Sequence, residues 1–522
     1  WRVGLIGQPS RQSYDVQTIP LWCLRHPKVA GSSPAPGTNP NHRALRMPCQ
    51  SAPPLATMRT LDVPSTVGRI MVDAPRPGER VKIEVTSHNG TTTVQGIALH
   101  PAAPRHITLK LVNGYNASYP LEAVETIELI GEYSAPQPAT PQIIQASNEE
   151  LPRVRILHTG GTIASKVDYA TGAVVARFEP EELVASLPEL SEIAQIEAVK
   201  LGNMFSDDIR PQHWNAIIAA SKKAFDDGCR GVVVTHGTDT LHITSAAVGL
   251  AWAARGGTAP GPIAFVGSQR SSDRGSSDAA ENLLSAVHWA AYGPKPLGSH
   301  ADTSVVIMHA NANDGVCSVL PGTGVRKMHS SRRDAFHAVN CEPLGMIHNE
   351  NGAIEHTLHS TYAEAIQDSP RRGVAERPDA YEPGVRIAQF TAGPWLHAEQ
   401  IEAVAQSGVQ AIVIHGTGLG HLPIDDPGKD APENTKIWRT LTRCVNREIP
   451  IVVTSQCIHG PIDMNVYSKG RKQIDMGIIG HGSVAAPETM IVKVHWALSN
   501  SMTVAEAIVT DLAGEGRNTL MA

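Results

Sequence analysis

Two stretches of this sequence decide its fold, because each joins an apolar run to a loop of glycine and threonine. Residues 154–162 read VRILHTGGT, and residues 231–240 read GVVVTHGTDT. Each apolar run has the length of a buried strand, and the glycines after it let the backbone turn sharply and approach a ligand. Further apolar runs at 262–266 and 304–309 alternate with helical patterns. This alternation predicts a mostly parallel, doubly wound α/β sheet, in which ligands bind at the carboxyl ends of the strands.

Start and stop signals place three helices between these strands. The spacing predicts a helix over 211–227, with proline at its first position and Gly228 after its end. A second helix is predicted to follow the second glycine loop as far as Trp252. A third is predicted to end near Trp289, and the spacing of Asp278 and Glu281 predicts a capping box at its start.

The rest of the chain divides by its hydrophobic period. A period of two with Asn-Gly turns over 68–132 predicts five short strands in a small antiparallel β-barrel. A second, smaller α/β unit is predicted over 385–522, with strands near 385–390, 411–415 and 449–454. The predicted organisation is a barrel at 68–132, a linker at 133–152, a first α/β domain at 153–364, a linker at 365–384 and the second α/β domain at 385–522.

The first 57 residues show no sustained period and no secretory signal pattern. Residues 31–34, GSSP, are what the T-arm of a transfer RNA gene would encode in one reading frame. We therefore expect this leader to be translated upstream DNA, with the start near Met58, or at Met47 or Met71. The alternative is a disordered tail.

Composition limits the function classes. The 522 residues are 41% hydrophobic and 18% charged, with a net charge of −6, which suits a folded protein and disfavours one coated for nucleic acid. No apolar stretch is long enough to span a bilayer. The seven cysteines form no Cys-x-x-Cys pair, so neither a disulfide framework nor a cysteine zinc site is indicated. We expect a cytoplasmic protein with no membrane partner.

The two loops carry the chemistry. Both place threonine hydroxyls beside backbone N–H groups, and the second adds the carboxylate of Asp239. A threonine becomes a nucleophile when a base removes its proton, and Asp239 with a lysine could form such a relay. For any single threonine, helix capping or a turn hydrogen bond stays an open alternative. The histidines form no His-x-x-x-His pair, so a metal site is not indicated.

Residues 159–164 (TGGTIA) together with 236–240 (HGTDT) resemble the L-asparaginase family of amidohydrolases. The resemblance runs from about residue 154 to the C-terminus and implies that family's two-domain fold. It also implies roles for residues by their position in the motifs. Thr162 would be the nucleophile, and the other catalytic residues would be Thr238, Asp239 and Lys327. Ser206 and the loop residue Tyr169 would bind the substrate.

Within that family the chain is similar to the archaeal-type D subunits of glutamyl-tRNA(Gln) amidotransferase. The predicted barrel and residues 325–336 (VRKMHSSRRDAF) carry this resemblance. It implies a protein that releases ammonia from glutamine or asparagine, so that an E subunit can convert Glu-tRNA(Gln) to Gln-tRNA(Gln). It further implies a homodimer within a heterotetramer, no cofactor or metal in this chain, and ATP and magnesium in the partner.

Two other functions stay open at this stage. A free-standing L-asparaginase would hydrolyse asparagine without a partner, and a non-catalytic subunit on the same fold would only bind an amino acid. The arginines around Lys327, at 326, 332 and 333, are interpreted as part of a solvated loop, with contact to RNA phosphates as the alternative.

Overall fold

The computed structural model describes most of the chain from residue 75 to residue 516. The described residues are 75–76, 78–87, 90–99, 101, 104–111, 116–132, 150–161, 163, 165–167, 174–176, 187–271, 276–350 and 352–516. The predicted leader at 1–57 and most of the predicted linker at 133–152 lie outside them. In the described part of the chain, no helix combines the length and the apolar character needed to cross a membrane.

The N-terminal strands form an antiparallel sheet, as predicted. Its order is β4-β3-β2-β1-β5, and the apolar faces of β1 and β3 meet in a small core of residues such as Val81, Ile83 and Leu109. The order leaves β4 and β5 at opposite edges, so closure into a barrel stays a prediction. The strands are β1 (Glu79–Ser87), β2 (Gly90–Leu99), β3 (His106–Leu111), β4 (Asn116–Pro120) and β5 (Val124–Glu132).

A larger mixed sheet organises the first α/β domain, in the order β17-β16-β13-β12-β11-β10-β6-β9. The five strands from β9 to β12 in that order are parallel, whereas β13, β16 and β17 are antiparallel. Two small hairpins, β7–β8 and β14–β15, stand outside this sheet. The strands are β6 (Arg153–His158), β7 (Ser165–Val167), β8 (Val174–Ala176), β9 (Gln195–Lys200), β10 (Gly231–Thr235), β11 (Ile263–Val266), β12 (Ser304–His309), β13 (Val316–Pro321), β14 (Val325–Lys327), β15 (Phe336–Ala338), β16 (Gly345–Glu350) and β17 (Ala353–Leu358).

The helices of this domain cover both faces of the sheet, which buries every residue of β10, β11 and β12. Because both faces are covered, the interior residues of these strands are apolar instead of alternating, and the polar residues Thr235, Ser304 and His309 stand at strand ends. The helices are α1 (Leu190–Ile193), α2 (Pro211–Asp226), α3 (Leu241–Ala253), α4 (Ala279–Tyr292) and α5 (Ser360–Asp368). Helix α5 ends inside the predicted linker at 365–384.

The predicted capping box at α4 is wrong. Asp278 is the residue before α4, but its carboxylate makes no cap. It accepts hydrogen bonds from the backbone N–H groups of Gln269 and Arg270, each at 3.0 Å. The carboxylate is buried, and these donors in the loop after β11 satisfy it more completely than a helix terminus would.

A smaller parallel sheet, β18-β19-β20, forms the second α/β unit. Its strands are β18 (Ile387–Thr391), β19 (Ala411–Gly416) and β20 (Ile451–Ser455), and the remaining helices are α6 (Ala398–Gln406), α7 (Pro432–Asn446), α8 (Ser468–Met476), α9 (Pro487–Ser499) and α10 (Val504–Val509). Helix α9 packs on α3. Trp496 and Trp252 therefore lie in one apolar core to which both α/β units contribute residues.

A buried ion pair fastens the last described residues to α9. Lys493 and Glu515 are 3% and 1% exposed, with Nζ 2.5 Å from Oε1. The Glu515 carboxylate also accepts from the backbone N–H groups of Leu512 and Ala513. Burial raises the pKa of Glu515, but Lys493 and these N–H groups outweigh it, so that the pKa lies below its ordinary value.

Replacing Lys493 by Met should strongly destabilise the protein, because Glu515 would be left as an unpaired buried carboxylate. The expected loss of unfolding free energy is about 3–5 kcal/mol, measured by urea denaturation. Lys472→Met is the matched control, since Lys472 pairs with Asp425 on the surface with its side chain 54% exposed. That control should lose less than about 1 kcal/mol, and equal losses in the two variants would contradict the assignment.

Candidate active site

The two glycine loops lie side by side at the carboxyl ends of neighbouring parallel strands. Strands β6 and β10 pair in register, with His158 opposite Thr235. The Thr159 hydroxyl donates to the Thr235 carbonyl at 2.9 Å, and His158 Nδ1 lies 2.8 Å from the Thr235 hydroxyl. All three side chains are buried. The predicted placement of both loops at one edge of the sheet is therefore confirmed.

Glycine is required where the loops touch. A Cβ added to Gly161 would lie 2.5 Å from the backbone nitrogen of Gly237, and one added to Gly160 would lie 2.5 Å from backbone atoms of Met204. Both glycines also have positive φ, +90° and +116°, a conformation that disfavours other residues. The chain leading to Thr162 is thus held against the second loop by direct contact of the backbones.

Lys327 reaches the second loop from β14, 88 positions away in the sequence from Asp239. Its Nζ donates to the Thr238 hydroxyl at 2.9 Å and to the Asp239 carboxylate at 2.8 Å. The Lys327 side chain is only 9% exposed, whereas that of Asp239 is 70% exposed. The structure therefore brings together three of the predicted catalytic residues.

Ser206 lies beside the same loop. It begins a 3-10 turn at Ser206–Asp208 and is buried. The Thr240 hydroxyl donates to the Ser206 carbonyl at 2.6 Å, and the Thr240 N–H approaches the Ser206 hydroxyl at 3.4 Å. A Cβ on Gly237 would meet Ser206 at 2.9 Å. Thr240, to which the sequence motifs give no separate role, is the residue that attaches Ser206 to the site.

The predicted nucleophile Thr162 and the predicted loop residue Tyr169 lie outside the described residues. Their roles stay predictions. The described neighbours on either side of Thr162, Gly161 and Ile163, are buried.

Two buried histidines next to the second loop are neutral. Burial lowers the pKa of His236 to about 4, and burial together with the nearby cations Arg326 and Lys327 lowers the pKa of His242 to about 3. At neutral pH these rings therefore carry no charge. The ion pair of Asp239 is made with Lys327 instead.

Among the described residues, one group could hold a cation. Glu281, His309 and Asp314 place their ligand atoms within 4.8 Å of one another. The guanidinium of Arg333 already contacts Asp314 and lies 3.5 Å from His309 Nε2. A side chain of the protein thus supplies positive charge at this group.

A cavity of about 610 Å³ is lined by residues of both α/β units, including Trp214, Arg326, His415, Gln456 and Glu488. Thr238, Asp239, Lys327 and Ser206 do not line it. Arg326 and Glu488, both in its lining, form an ion pair of 3.0 Å. The interpretation of Arg326 as a solvated residue is therefore wrong, because its charge is already satisfied within the protein.

Comparisons with known proteins identify the family. Residues 153–360 match the model "Asparaginase, N-terminal", and residues 386–508 match "Glutaminase/Asparaginase C-terminal domain". The D subunit of glutamyl-tRNA(Gln) amidotransferase from Pyrococcus furiosus is 37% identical over 444 residues, which are 84% of this chain and 94% of that protein. The chain belongs to the family of these D subunits. The relative from Methanosarcina mazei, also a D subunit, is 34% identical, over 83% of this chain and 95% of its own length.

Solved structures agree with the predicted asparaginase-like fold. The thermostable L-asparaginase from Thermococcus kodakarensis has a TM-score of 0.56 and 26% identity, and it covers 70% of this chain and 98% of its own. An L-asparaginase I from Vibrio cholerae has a TM-score of 0.54 at 24% identity, which supports the fold alone. The D-subunit relatives extend over more of the chain than these asparaginases do.

Gly161→Ala should destabilise the protein more than Gly256→Ala. Both positions have positive φ, +90° and +80°, but an added Cβ at Gly256 meets nothing within 4 Å. The control therefore isolates the cost of the backbone conformation, about 1–2 kcal/mol. The excess loss in Gly161→Ala, measured by denaturant unfolding, reports the contact with Gly237. Equal losses would mean that the loops separate without cost.

Proposed function

We propose that this chain is the ammonia-releasing component of a tRNA-dependent amidotransferase and that its amide donor is glutamine or asparagine. The observation that carries the proposal is the position of Lys327 Nζ, 2.9 Å from the Thr238 hydroxyl and 2.8 Å from Asp239. A lysine, a hydroxyl and a carboxylate in direct contact form a relay that can move a proton. Thr238 and Asp239 of this relay lie on the loop whose Gly237 is in contact with Gly161, and Gly161 precedes Thr162 in the sequence.

The proposed chemistry proceeds in two steps. Thr162 Oγ attacks the side-chain amide carbon of the donor and its proton passes through the Thr238–Lys327 relay, while Asp239 orients the lysine. The C–N bond then breaks, and the nitrogen takes a proton and leaves as ammonia, so that an acyl-enzyme remains. Water hydrolyses this ester to give glutamate or aspartate and restores the threonine. Backbone N–H groups of the glycine loops stabilise the oxyanion.

Membership of the D-subunit family supports a proposal for the partner chemistry. We propose that an E subunit receives the ammonia and uses ATP and magnesium to convert Glu-tRNA(Gln) to Gln-tRNA(Gln). This chain would supply no cofactor and no metal to that reaction. Two copies of it would form a homodimer within a heterotetramer, in the cytoplasm.

A free-standing L-asparaginase is the second candidate. It is favoured by the similarity to the Thermococcus kodakarensis L-asparaginase, which covers 98% of that chain. The N-terminal sheet weighs against it, because a solitary amidohydrolase does not need this sheet. The D-subunit relatives match 84% of this chain, compared with 70% for that asparaginase.

Lys327→Met and Thr162→Ala should each lower the rate of ammonia release by more than about 100-fold. The first substitution removes a member of the relay, and the second removes the nucleophile. Ammonia from glutamine and from asparagine would be measured with a coupled assay. Lys472→Met controls for the loss of a lysine on the surface. Activity within a few-fold of the unmodified protein in either variant would refute the mechanism.

The partner assignment needs a separate assay. Ammonia release would be compared with and without the E subunit and Glu-tRNA(Gln), for both donors. Stimulation by the complex, with formation of Gln-tRNA(Gln), supports the amidotransferase. Asparaginase activity that the partner does not change would support the free-standing enzyme instead, and absence of ammonia under all conditions would support a non-catalytic role.

A further inference from the structure

The residue that carries the proposed relay lies on a very short hairpin. Strands β14 and β15 have three residues each, and Lys327 is the last residue of β14, paired with Phe336. Just beyond the pair, the Met328 N–H donates to the Ala335 carbonyl at 2.6 Å. So short a ladder does little by itself to fix the direction of the Lys327 side chain. Val325 and Phe336 anchor the base of the hairpin in the apolar core, so the position of Nζ depends on that packing together with the place where the connecting loop, residues 328–335, is held.

Arg333 holds that loop. Its side chain is 12% exposed, and its guanidinium donates to the Asp314 carboxylate and to the Ala312 carbonyl. The same guanidinium lies 3.5 Å from His309 Nε2. These three partners belong to the carboxyl end of β12 and the loop after it. Arg333 is therefore neither solvated nor available to RNA phosphates, contrary to both interpretations of the sequence.

The partner His309 is itself fixed in one orientation. The Asn282 amide nitrogen donates to the Gly267 carbonyl at 3.0 Å and to Asp278 at 3.1 Å, so Asn282 Oδ1 is an acceptor. That oxygen lies 2.7 Å from His309 Nδ1, which must then carry a proton. Burial lowers the pKa of His309. Its Nε2 lies 3.1 Å from Glu281 Oε2 and 3.5 Å from the Arg333 guanidinium.

Negative charge surrounds the same point. Glu281 Oε2 lies 3.1 Å from His309 Nε2 and accepts from the Gly315 N–H at 3.0 Å. Glu281 and Asp314 place two carboxylates within 4.8 Å of His309, and this negative charge needs a cation to balance it. Arg333 meets this need with five N–H donors in a rigid fork, which lysine cannot reproduce. The network ties the loops after β11 and β12 to the hairpin of Lys327.

We propose that Arg333 is a positioning residue for Lys327, holding loop 328–335 on the loop after β12 so that Nζ stays within hydrogen-bond distance of Thr238 and Asp239. The inference rests on the proposed function for its catalytic consequence. Among the described residues, Arg333 contacts His309, Asp314 and Ala312 and not Thr238, Asp239 or Lys327, so it acts through the hairpin. Displacement of a reacting group by about 1 Å can lower a rate about 100-fold, so loss of this contact should reduce turnover rather than donor binding.

The chain offers a matched control one residue away. Arg332 pairs with Asp334 inside the same loop and is 58% exposed. Arg333→Gln should lower kcat for ammonia release about 10- to 100-fold with KM changed less than about threefold, whereas Arg332→Gln should change both less than about twofold. Arg333→Lys should recover part of the kcat. Adding Asp314→Asn to Arg333→Gln should lower kcat little further, because the two substitutions break the same contact, that between Arg333 and Asp314.

The result that would overturn the proposal is a kcat for Arg333→Gln equal to that for Arg332→Gln. A rise in KM without a fall in kcat, or independent and additive effects of Arg333→Gln and Asp314→Asn, would also overturn it. If the activity of Arg333→Gln falls only in proportion to the fraction of protein unfolded at the assay temperature, Arg333 has a structural role, and the positioning proposal is contradicted.

A second readout does not depend on catalysis and separates this inference from the proposed function. Acetic anhydride acetylates lysines according to their access, and mass spectrometry would compare Lys327 with the exposed Lys472 in the full chain. Arg333→Gln should raise acetylation of Lys327 several-fold relative to Lys472, because Nζ leaves Thr238 and Asp239. If the unmodified protein releases no ammonia, the proposed function fails while this labelling still decides whether Arg333 holds Lys327.

Discussion

The site depends on one close contact between main chains, that of Gly161 with Gly237. A single added carbon at Gly161 would lie 2.5 Å from the Gly237 nitrogen. Because backbone atoms occupy both sides of this contact, no side-chain rotation can relieve such a clash. The contact sets the distance between the ends of β6 and β10, and through Gly237 it also sets the distance to Ser206. The glycines of the two motifs are therefore needed for spacing as well as for turning the chain.

The relay combines residues that the fold brings from two kinds of structure. Thr238 and Asp239 follow a parallel strand whose position is fixed by neighbours on both sides. Lys327 comes from a hairpin outside that sheet, so its position needs separate support. Arg326 and Arg333 supply anchors on either side of it, one to Glu488 and one to Asp314. The arginines that surround Lys327 in the sequence thus hold its hairpin in place.

Sequence patterns predicted the parts of the fold that follow local rules. The buried strands β6, β10, β11 and β12, and the helix from Pro211, lie within a residue or two of their predicted bounds, because apolar runs and proline carry local information. The antiparallel strands β13, β16 and β17 were not predicted. Strands β16 and β17 mix polar and apolar residues towards one edge of the sheet, and the short apolar run of β13 is interrupted by Ser318. The contact of Lys327 with Asp239 spans 88 positions, and only the family resemblance pointed to that lysine.

Charged residues were the least predictable from the sequence. Asp278 has the spacing of a cap but binds the loop after β11, and Arg333 resembles a solvated loop residue but is nearly buried. In both cases a distant acceptor or donor decides the position, and no local pattern reports a distant partner. The structure places Thr238 and Asp239 on the second glycine loop and Ser206 beside that loop, and the roles of the three residues stay predictions.

The buried attachment of residues 511–516 bears on how the protein folds as it is synthesised. The Ala301 N–H donates to the Ala513 carbonyl, and Arg372 binds the Leu512 carbonyl 140 positions further on. Domains generally fold as units as the chain emerges from the ribosome, starting from the N-terminus. Here the first α/β unit cannot complete its packing until residues near 513 have been made. Its nascent form therefore exposes apolar surface during translation of the whole second unit, a period in which binding by a chaperone would protect it.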